Sequence, residues 1–458
     1  MAAPHAQGGG KVSGGGGTPA LEPARFVTFD GAVAANGLLQ RPDRYRHIEA
    51  DLGSAKRIAR GAGMSYAAAS FGAGSIVQQM ASFDRMIAFD PVQKTLRVEA
   101  GASIGGLSIW ASQRGLLMPV LPGYPTITVG GCIAADVHGK NPHRDGTFND
   151  WVSALTLYHP AHGFREIARE REPALFDATC GGFGLTGVIV DATLRLVAQT
   201  GPAYTIATSA VESLTAARDM IEVLGQNHEF AYSWHDGTLR GRAFGKGLVF
   251  CGSWASEPEP PKGPDCRPMT PYSRGRLPAC LWTPASSRWA NAYFRRSALR
   301  HPHQRKSVFD ASFPFTSQTL YHRMFGRRGL AEAQVLVDDE HWEAFLQGIT
   351  RLFDAVDPAA TMLSLKRFRG NGRSLGMCGS GTLVAIDLVR EARTLRFLAG
   401  LDRLVMETRS QPNVIKDSRL PGSVAAASLP HYASFRARLR DWDPQRLYES
   451  EMSRRLDL

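Results

Sequence analysis

Two side chains of this sequence can move a proton and hold a charge. His138, in Asp136-Val137-His138-Gly139-Lys140, can accept a proton near neutral pH. Lys416, in the turn Lys416-Asp417-Ser418-Arg419, offers a cation that can stabilise developing negative charge. Each also has a plainer structural role open to it. A lone histidine is more often a satisfied packing residue, and Lys416 could form a surface ion pair with Asp417 or Glu451. His138 is set apart by its surroundings. Residues 120–141, VLPGYPTITVGGCIAADVHGKN, place four glycines and two prolines around one aspartate, one histidine and one lysine. Glycine has no Cβ to hold a large flat ligand away from the backbone.

Two other stretches share that character. One is Arg60-Gly61-Ala62-Gly63-Met64-Ser65-Tyr66, and the other runs from Gly181, Gly182 and Gly184 to Gly187, Val188 and Ile189. Each lies beside an apolar, β-prone run, which predicts one extended cofactor held from three sides. None is a P-loop, because no Gly-x-x-x-x-Gly-Lys-Ser/Thr stands between a strand and a helix. The third superficially resembles a dinucleotide fingerprint, but it opens a strand.

The elements that must position these turns follow from periodicity and breakers. Strands are expected at 56–59, 75–77, 86–89, 95–100, 152–158 and 187–196. Helices are expected at 41–52, at 104–114 before the stop at Gly115, and at 173–180. Strands and helices do not alternate regularly, so the pattern is α+β and not a Rossmann sheet. Past Gly201 come strands at 203–209, 230–234, 247–252, 331–337, 362–368 and 382–388, with helices at 214–224, 339–356 and 392–409. A Pro-rich link spans 257–271, and residues 273–318, aromatic and basic with little periodicity, are expected to be mobile loops. The Gly/Ala-rich start, residues 1–24, is expected to be a disordered tail.

A length of 458 residues implies two domains. The net charge of +11 favours anionic partners: phosphates, acidic lipid surfaces or nucleic acid. The six cysteines show no CxxC pair and no metal spacing, and read as reduced thiols of an intracellular protein. No apolar run reaches membrane-spanning length, and the N-terminus lacks an ordinary secretory pattern.

The three turns together resemble the FAD-binding domain of the vanillyl-alcohol oxidase and p-cresol methylhydroxylase superfamily. Within it, the chain is similar to the polyprenyl-phosphoryl ribose oxidase branch. The strongest pieces are residues 59–66, 119–141, 181–189, the Lys416 turn and the ending 443–458; the middle, about 201–409, matches weakly. The resemblance implies an FAD domain of residues 25–200 completed by 413–458, and a substrate domain of 201–412 with an antiparallel sheet.

It also implies roles for individual residues. Arg60, Gly61, Ala62, Gly63, Met64, Ser65, Tyr66, Pro122, Gly123, Thr128, Gly130, Gly131, Cys132, Ala135, Asp136, His138, Gly139, Asn141, Gly182, Gly184, Gly187, Ile189 and Lys416 would hold FAD. Tyr66 with Pro122 and Gly123 would flank the isoalloxazine. Trp234, Gln334, Lys366, Ala385 and Asn413 would line the substrate pocket, with Lys416 and His138 catalytic. Many relatives bind FAD covalently through a histidine in the first turn. Met64 in that turn implies a non-covalent cofactor, with Cys132 the remaining thiol near the flavin. Ala385 stands where one enzyme of the branch has a pocket cysteine, and Asn413 where the family often has a tyrosine.

The implied activity is oxidation at C2 of a polyprenyl-phosphoryl pentofuranose. A separate NADH-dependent short-chain reductase would complete an epimerisation of ribose to arabinose, in the cytoplasm or at the inner face of the plasma membrane. No metal and no nucleic acid is expected. Two other readings stay open: a sugar or aldonolactone oxidase using oxygen, and a non-catalytic basic module retaining the fold.

Overall fold

The computed structural model describes residues 20–257, 277–314 and 319–458. Residues 1–19 of the expected tail and most of the Pro-rich link fall outside these residues. The fold is the expected α+β type, in two parts. Its first part holds two sheets. In one, Glu22–Val27 pairs antiparallel with Ala34–Gln40, which lies parallel to Ile76–Gln79, itself parallel to Arg57–Arg60. The other is antiparallel, in the order Met86–Asp90, Thr95–Glu99, Val188–Arg195, Val152–His159, Gly163–Ala168.

The second part is an eight-stranded antiparallel sheet in the order His303–Ser307, Ala203–Val211, Gly247–Ala255, Phe230–Asp236, Ala360–Asn371, Cys378–Val389, Leu330–Asp338, Gln411–Pro412. Side chains alternate between its faces. Ala333, Val335, Leu363, Leu365, Val384 and Ile386 point to one face and pack in one core with the helices Leu214–Asn227, Trp342–Val356 and Ala392–Glu407. Trp342–Val356 shows why it forms there: Trp342, Phe345, Ile349 and Phe353 fall on one stripe and are buried. Each such side chain contributes about 1.5–3 kcal/mol through burial. The alternate residues, Glu332, Gln334, Ser364, Lys366, Ala385 and Asp387, share the other face.

Residues after Pro412 return to the first part. Tyr66 N–H donates to the Ile415 carbonyl (3.3 Å), Arg57 N–H to Leu447 (2.8 Å) and Glu451 N–H to Phe71 (2.9 Å). The hairpin tip between the two twelve-residue strands Ala360–Asn371 and Cys378–Val389 also reaches it, where Ser374 Oγ donates to the Cys180 carbonyl at 2.7 Å.

Three expectations need correction. The helix expected at 41–52 is a single turn, Tyr45–Ile48, with no side-chain cap. The tail expected through residue 24 ends earlier, because residues 22–40 form the hairpin of the first sheet. The described part of 273–318 is not loop: it contains the helices Pro284–Arg300 and Val308–Ser312 and the strand His303–Ser307. Pro284–Arg300 has a Thr283 cap and a proline in its first turn. Its buried stripe is Ser287, Asn291 and Ala298, so small and polar that no apolar period marks it. Asn291 anchors it by donating to Asp236 Oδ1 (2.6 Å) and to the Thr361 carbonyl (2.9 Å).

Candidate active site

The three glycine-rich turns meet. Parallel strand Arg57–Arg60 runs directly into the first, and Thr128 closes against it: a Cβ on Gly61 would lie 2.2 Å from Thr128 Oγ1. The same oxygen accepts from Gly131 N–H (3.2 Å) and caps the helix Val129–Ala135, which carries Gly130, Gly131, Cys132 and Ala135. That helix ends on Asp136 in the left-handed region, φ 44°. Burial raises the Asp136 carboxyl to about 6, and it accepts from Asn149 N–H at 3.3 Å. The third turn docks on the same helix through Gly181 N–H to Ile133 and Phe183 N–H to Ala134. It opens the strand Val188–Arg195, with Ile189 buried and paired with Leu157. Gly187, at φ 140°, has no room for a Cβ, which would meet the Tyr158 carbonyl at 2.4 Å.

Within the first turn, Arg60 donates to Ser70 Oγ (2.8 Å) beneath the Phe26 and Phe71 rings, and Gln79 Nε2 donates to the Gly61 carbonyl (2.8 Å). Among the described residues, the N–H groups of Ala62, Met64 and Ser65 have no acceptor. Met64 packs in a small core with Phe29, Tyr66 and Trp282. Cys132 is fully buried in a different core and its thiol is pushed up by that burial. Pro122 is buried and Gly123 half-buried, just before Tyr124, whose hydroxyl bonds His322 Nε2. Asn141 donates to Asp145.

The predicted reacting side chains converge where the polar face of the large sheet meets this backbone. The Lys416 ammonium lies 4.7 Å from the centre of the Tyr66 ring and 3.1 Å from Glu332 Oε2. Gln334 donates to Glu332 Oε1 (2.6 Å), and its own Oε1 accepts from Asn413 Nδ2 (2.9 Å). His138 places Nδ1 3.1 Å from the Gly139 carbonyl and Nε2 3.4 Å from Gln334 Oε1. A neutral imidazole has one N–H and both neighbours are acceptors. The shorter contact assigns the N–H to Nδ1 and leaves Nε2 as an acceptor. Burial first, then the nearby Lys366 charge, holds the imidazole down to about 3, so it is neutral at physiological pH. Lys366 donates to the Gly139 carbonyl (3.1 Å), and burial followed by Lys416 lowers it to about 8.

Ala385 sits in register between Gln334 and Ser364. Trp234 is on an adjoining strand, its ring 4.8 Å from that of Phe294 of the helix Pro284–Arg300. Neither Asp417 nor Glu451 partners the Lys416 ammonium; Glu332 does.

Glu332 and Asp387 were not picked out from sequence. Both are buried on the site face, at 9% and 7% exposure, and Asp387 accepts from the Tyr321 hydroxyl at 2.8 Å. Burial, then the Glu332 charge, raises the Asp387 carboxyl. The signal was present. Glu332 and Gln334 fall on alternate positions of one apolar strand, and Asp387 is a lone acid in another.

Residues 49–163 match the family described as FAD binding domain. The chain is 28% identical over 422 residues to the decaprenylphosphoryl-beta-D-ribose oxidase of Mycolicibacterium smegmatis, covering 88% of this chain and 89% of that protein. The chain is an FAD-dependent oxidoreductase. The D-arabinono-1,4-lactone oxidase of Eremothecium gossypii is 30% identical over 138 residues, 30% of the flavoprotein and 25% of the oxidase. An L-galactono-1,4-lactone dehydrogenase of Oryza sativa is 28% identical over 156 residues, 34% and 26% of the two chains. The flavoprotein's own atoms suit FAD. Acceptorless N–H groups in the first turn suit a pyrophosphate, and the Lys416 ammonium over Tyr66 would supply a cation to the cofactor. Among the described residues, no helix is long and apolar enough to cross a membrane.

Proposed function

We propose that the protein oxidises the C2 hydroxyl of a polyprenyl-phosphoryl β-D-ribofuranose to the 2-keto sugar, the first half of an epimerisation to the arabinose donor. The bound FAD would supply the hydride acceptor for the carbinol hydrogen. In this reading Lys416 and Gln334 orient the sugar, and His138 Nε2 accepts the hydrogen bond of the reacting hydroxyl. With its imidazole held at about 3, His138 orients that proton more than it stores it. Lys366, held near 8, is the neighbouring group suited to exchange it. The observation that carries the substrate is the likeness to the ribose oxidase across 88% of the chain. The lactone enzymes match only 30–34% of it.

The proposed domains are 25–200 with 413–458 for FAD, and 201–412 for substrate. The backbone bonds of Tyr66 to Ile415 and Arg57 to Leu447 support this division. The partner would be an NADH-dependent short-chain reductase that returns the ketone to an alcohol.

A lipid-linked substrate calls for a membrane surface, and one helix face suits it. On Pro284–Arg300, Trp289 and Tyr293 are 71% and 63% exposed and stack at 5.6 Å, with exposed Arg296 and Arg300 along the same stripe. Aromatic rings flanked by arginines suit the interface of an anionic leaflet. The deciding experiment is anaerobic mixing with polyprenyl-phosphoryl ribose, monitored by flavin bleaching. Bleaching by free sugars or aldonolactones and not by the lipid-linked ribose would favour a lactone-oxidase role instead.

A further inference from the structure

A cavity of about 350 Å³ opens beside the site. Met118 and Trp151 wall it on the side of the first two sheets, Tyr204, Phe230 and Trp254 on the side of the large sheet, and Lys140 stands between them. Its size lies within the range of small-ligand pockets, about 300–1,000 Å³. It adjoins the reaction site through one peptide: Lys140 follows Gly139, whose carbonyl binds Lys366.

Among the described residues, Lys140 has no carboxylate partner. Its ammonium donates to the Ala311 carbonyl and faces the rings of Phe230 and Tyr232 at 5.5 and 5.7 Å. The charges acting on it are both cations, Lys366 and Lys306, and with burial they lower it to about 7. Lys306 stands on the edge strand His303–Ser307, in register with Tyr204 of the cavity wall. The cavity's own acids are already paired, since Arg144 binds both Asp145 (3.1 Å) and Glu229 (2.8 Å). Cations drawn together out of water without a counter-charge repel one another, and an anion among them stabilises all three.

We propose that Lys140 and Lys306 form a binding site for a phosphate ester, with the aromatic wall of the cavity taking the first part of its apolar chain. This rests on the reading of the substrate as lipid-linked. It places the phosphodiester on the side of Gly139 away from Lys416.

The test is calorimetric binding of farnesyl phosphate to the FAD-loaded protein, with farnesol and inorganic phosphate as controls. Lys140→Met should weaken farnesyl phosphate at least tenfold, and Lys306→Glu severalfold. Neither should change farnesol binding, and Lys140→Arg should retain most of the affinity. The half-buried edge position of Lys306 keeps the test available should Lys140→Met fail to load FAD. Farnesyl phosphate bound equally by wild type and all variants would overturn the site. Inorganic phosphate bound as tightly as farnesyl phosphate would overturn the role of the apolar wall. Flavin bleaching by polyprenyl-phosphoryl ribose, run in parallel, separates the two readings. Lys140-dependent binding without bleaching keeps the anion site and removes the oxidase assignment. Bleaching with KM unchanged in Lys306→Glu does the reverse.

Discussion

Glu332 holds the Lys416 ammonium at 3.1 Å from one carboxylate oxygen while the other accepts from Gln334. The cation is thereby fixed over the Tyr66 ring by a buried carboxylate. A fixed cation stabilises charge that arrives during reaction more than it stabilises the neutral state before it. Lys416→Ala should therefore slow flavin reduction by about two to three powers of ten while FAD still binds. Lys416→Arg should rescue only part, because the guanidinium is planar and larger. Single-turnover bleaching under anaerobic conditions measures this. A Lys416→Ala protein that bleaches at the wild-type rate makes the lysine structural.

FAD should leave the protein on denaturation. Met64 occupies the turn where relatives link flavin through histidine, and thioether carbon chemistry offers no such bond. Cys132, the nearest thiol in sequence, is 0% exposed inside the core of the antiparallel five-stranded sheet. Acid precipitation followed by fluorescence of pellet and supernatant decides it: flavin remaining in the pellet overturns the expectation.

The first two glycine-rich turns should depend on each other. A Cβ on Gly61 has Thr128 Oγ1 2.2 Å away, closer than any real contact. Gly61→Ala should lower FAD content and melting temperature together. The loss should be about 1–3 kcal/mol, typical of overpacking. Gly61→Ala with Thr128→Ala should recover part of both, less the cost of the lost helix cap, about 1 kcal/mol. Equal melting temperatures for the single and double variants would show that the two turns do not press on each other.

Much of this site was legible because backbone need and residue type coincide. Gly61, Gly130 and Gly187 are glycine where a Cβ has no room, and such positions can be recognised without knowing the fold. Most strands of the large sheet were found within a few residues, since their inner faces are apolar. The helix Pro284–Arg300 was not, because Ser287 and Asn291 bury a polar stripe satisfied from a distant strand. Glu332 and Asp387 were passed over for the same reason. Their partners, Lys416 and Tyr321, lie 84 and 66 residues away, and only the folded sheet brings them together.

His235 should make the protein acid-sensitive. It is 0% exposed on the strand Phe230–Asp236. Ser233 Oγ accepts from Leu365 N–H (3.0 Å), so its hydroxyl donates to His235 Nε2 at 2.7 Å. Nδ1–H then donates to the Gly245 carbonyl at 2.7 Å. Both nitrogens are satisfied only in the neutral ring, and burial holds it down to about 4. The unfolded chain takes up this proton near 6.5. Between those values the unfolded state binds more protons, so stability is full above about 6.5 and falls as pH drops toward about 4. At about 1.4 kcal/mol per pH unit, His235 should account for about 2 kcal/mol lost between pH 7 and pH 5. His138 and His322, held down to about 3 and about 4, act in the same direction and remain in a His235→Gln variant. That variant should be less stable at pH 7, by about 1–3 kcal/mol for the broken buried network, yet lose less on acidification. Urea midpoints of both proteins at pH 7 and pH 5 measure the difference. Equal losses in the two proteins would remove His235 as the titrating group.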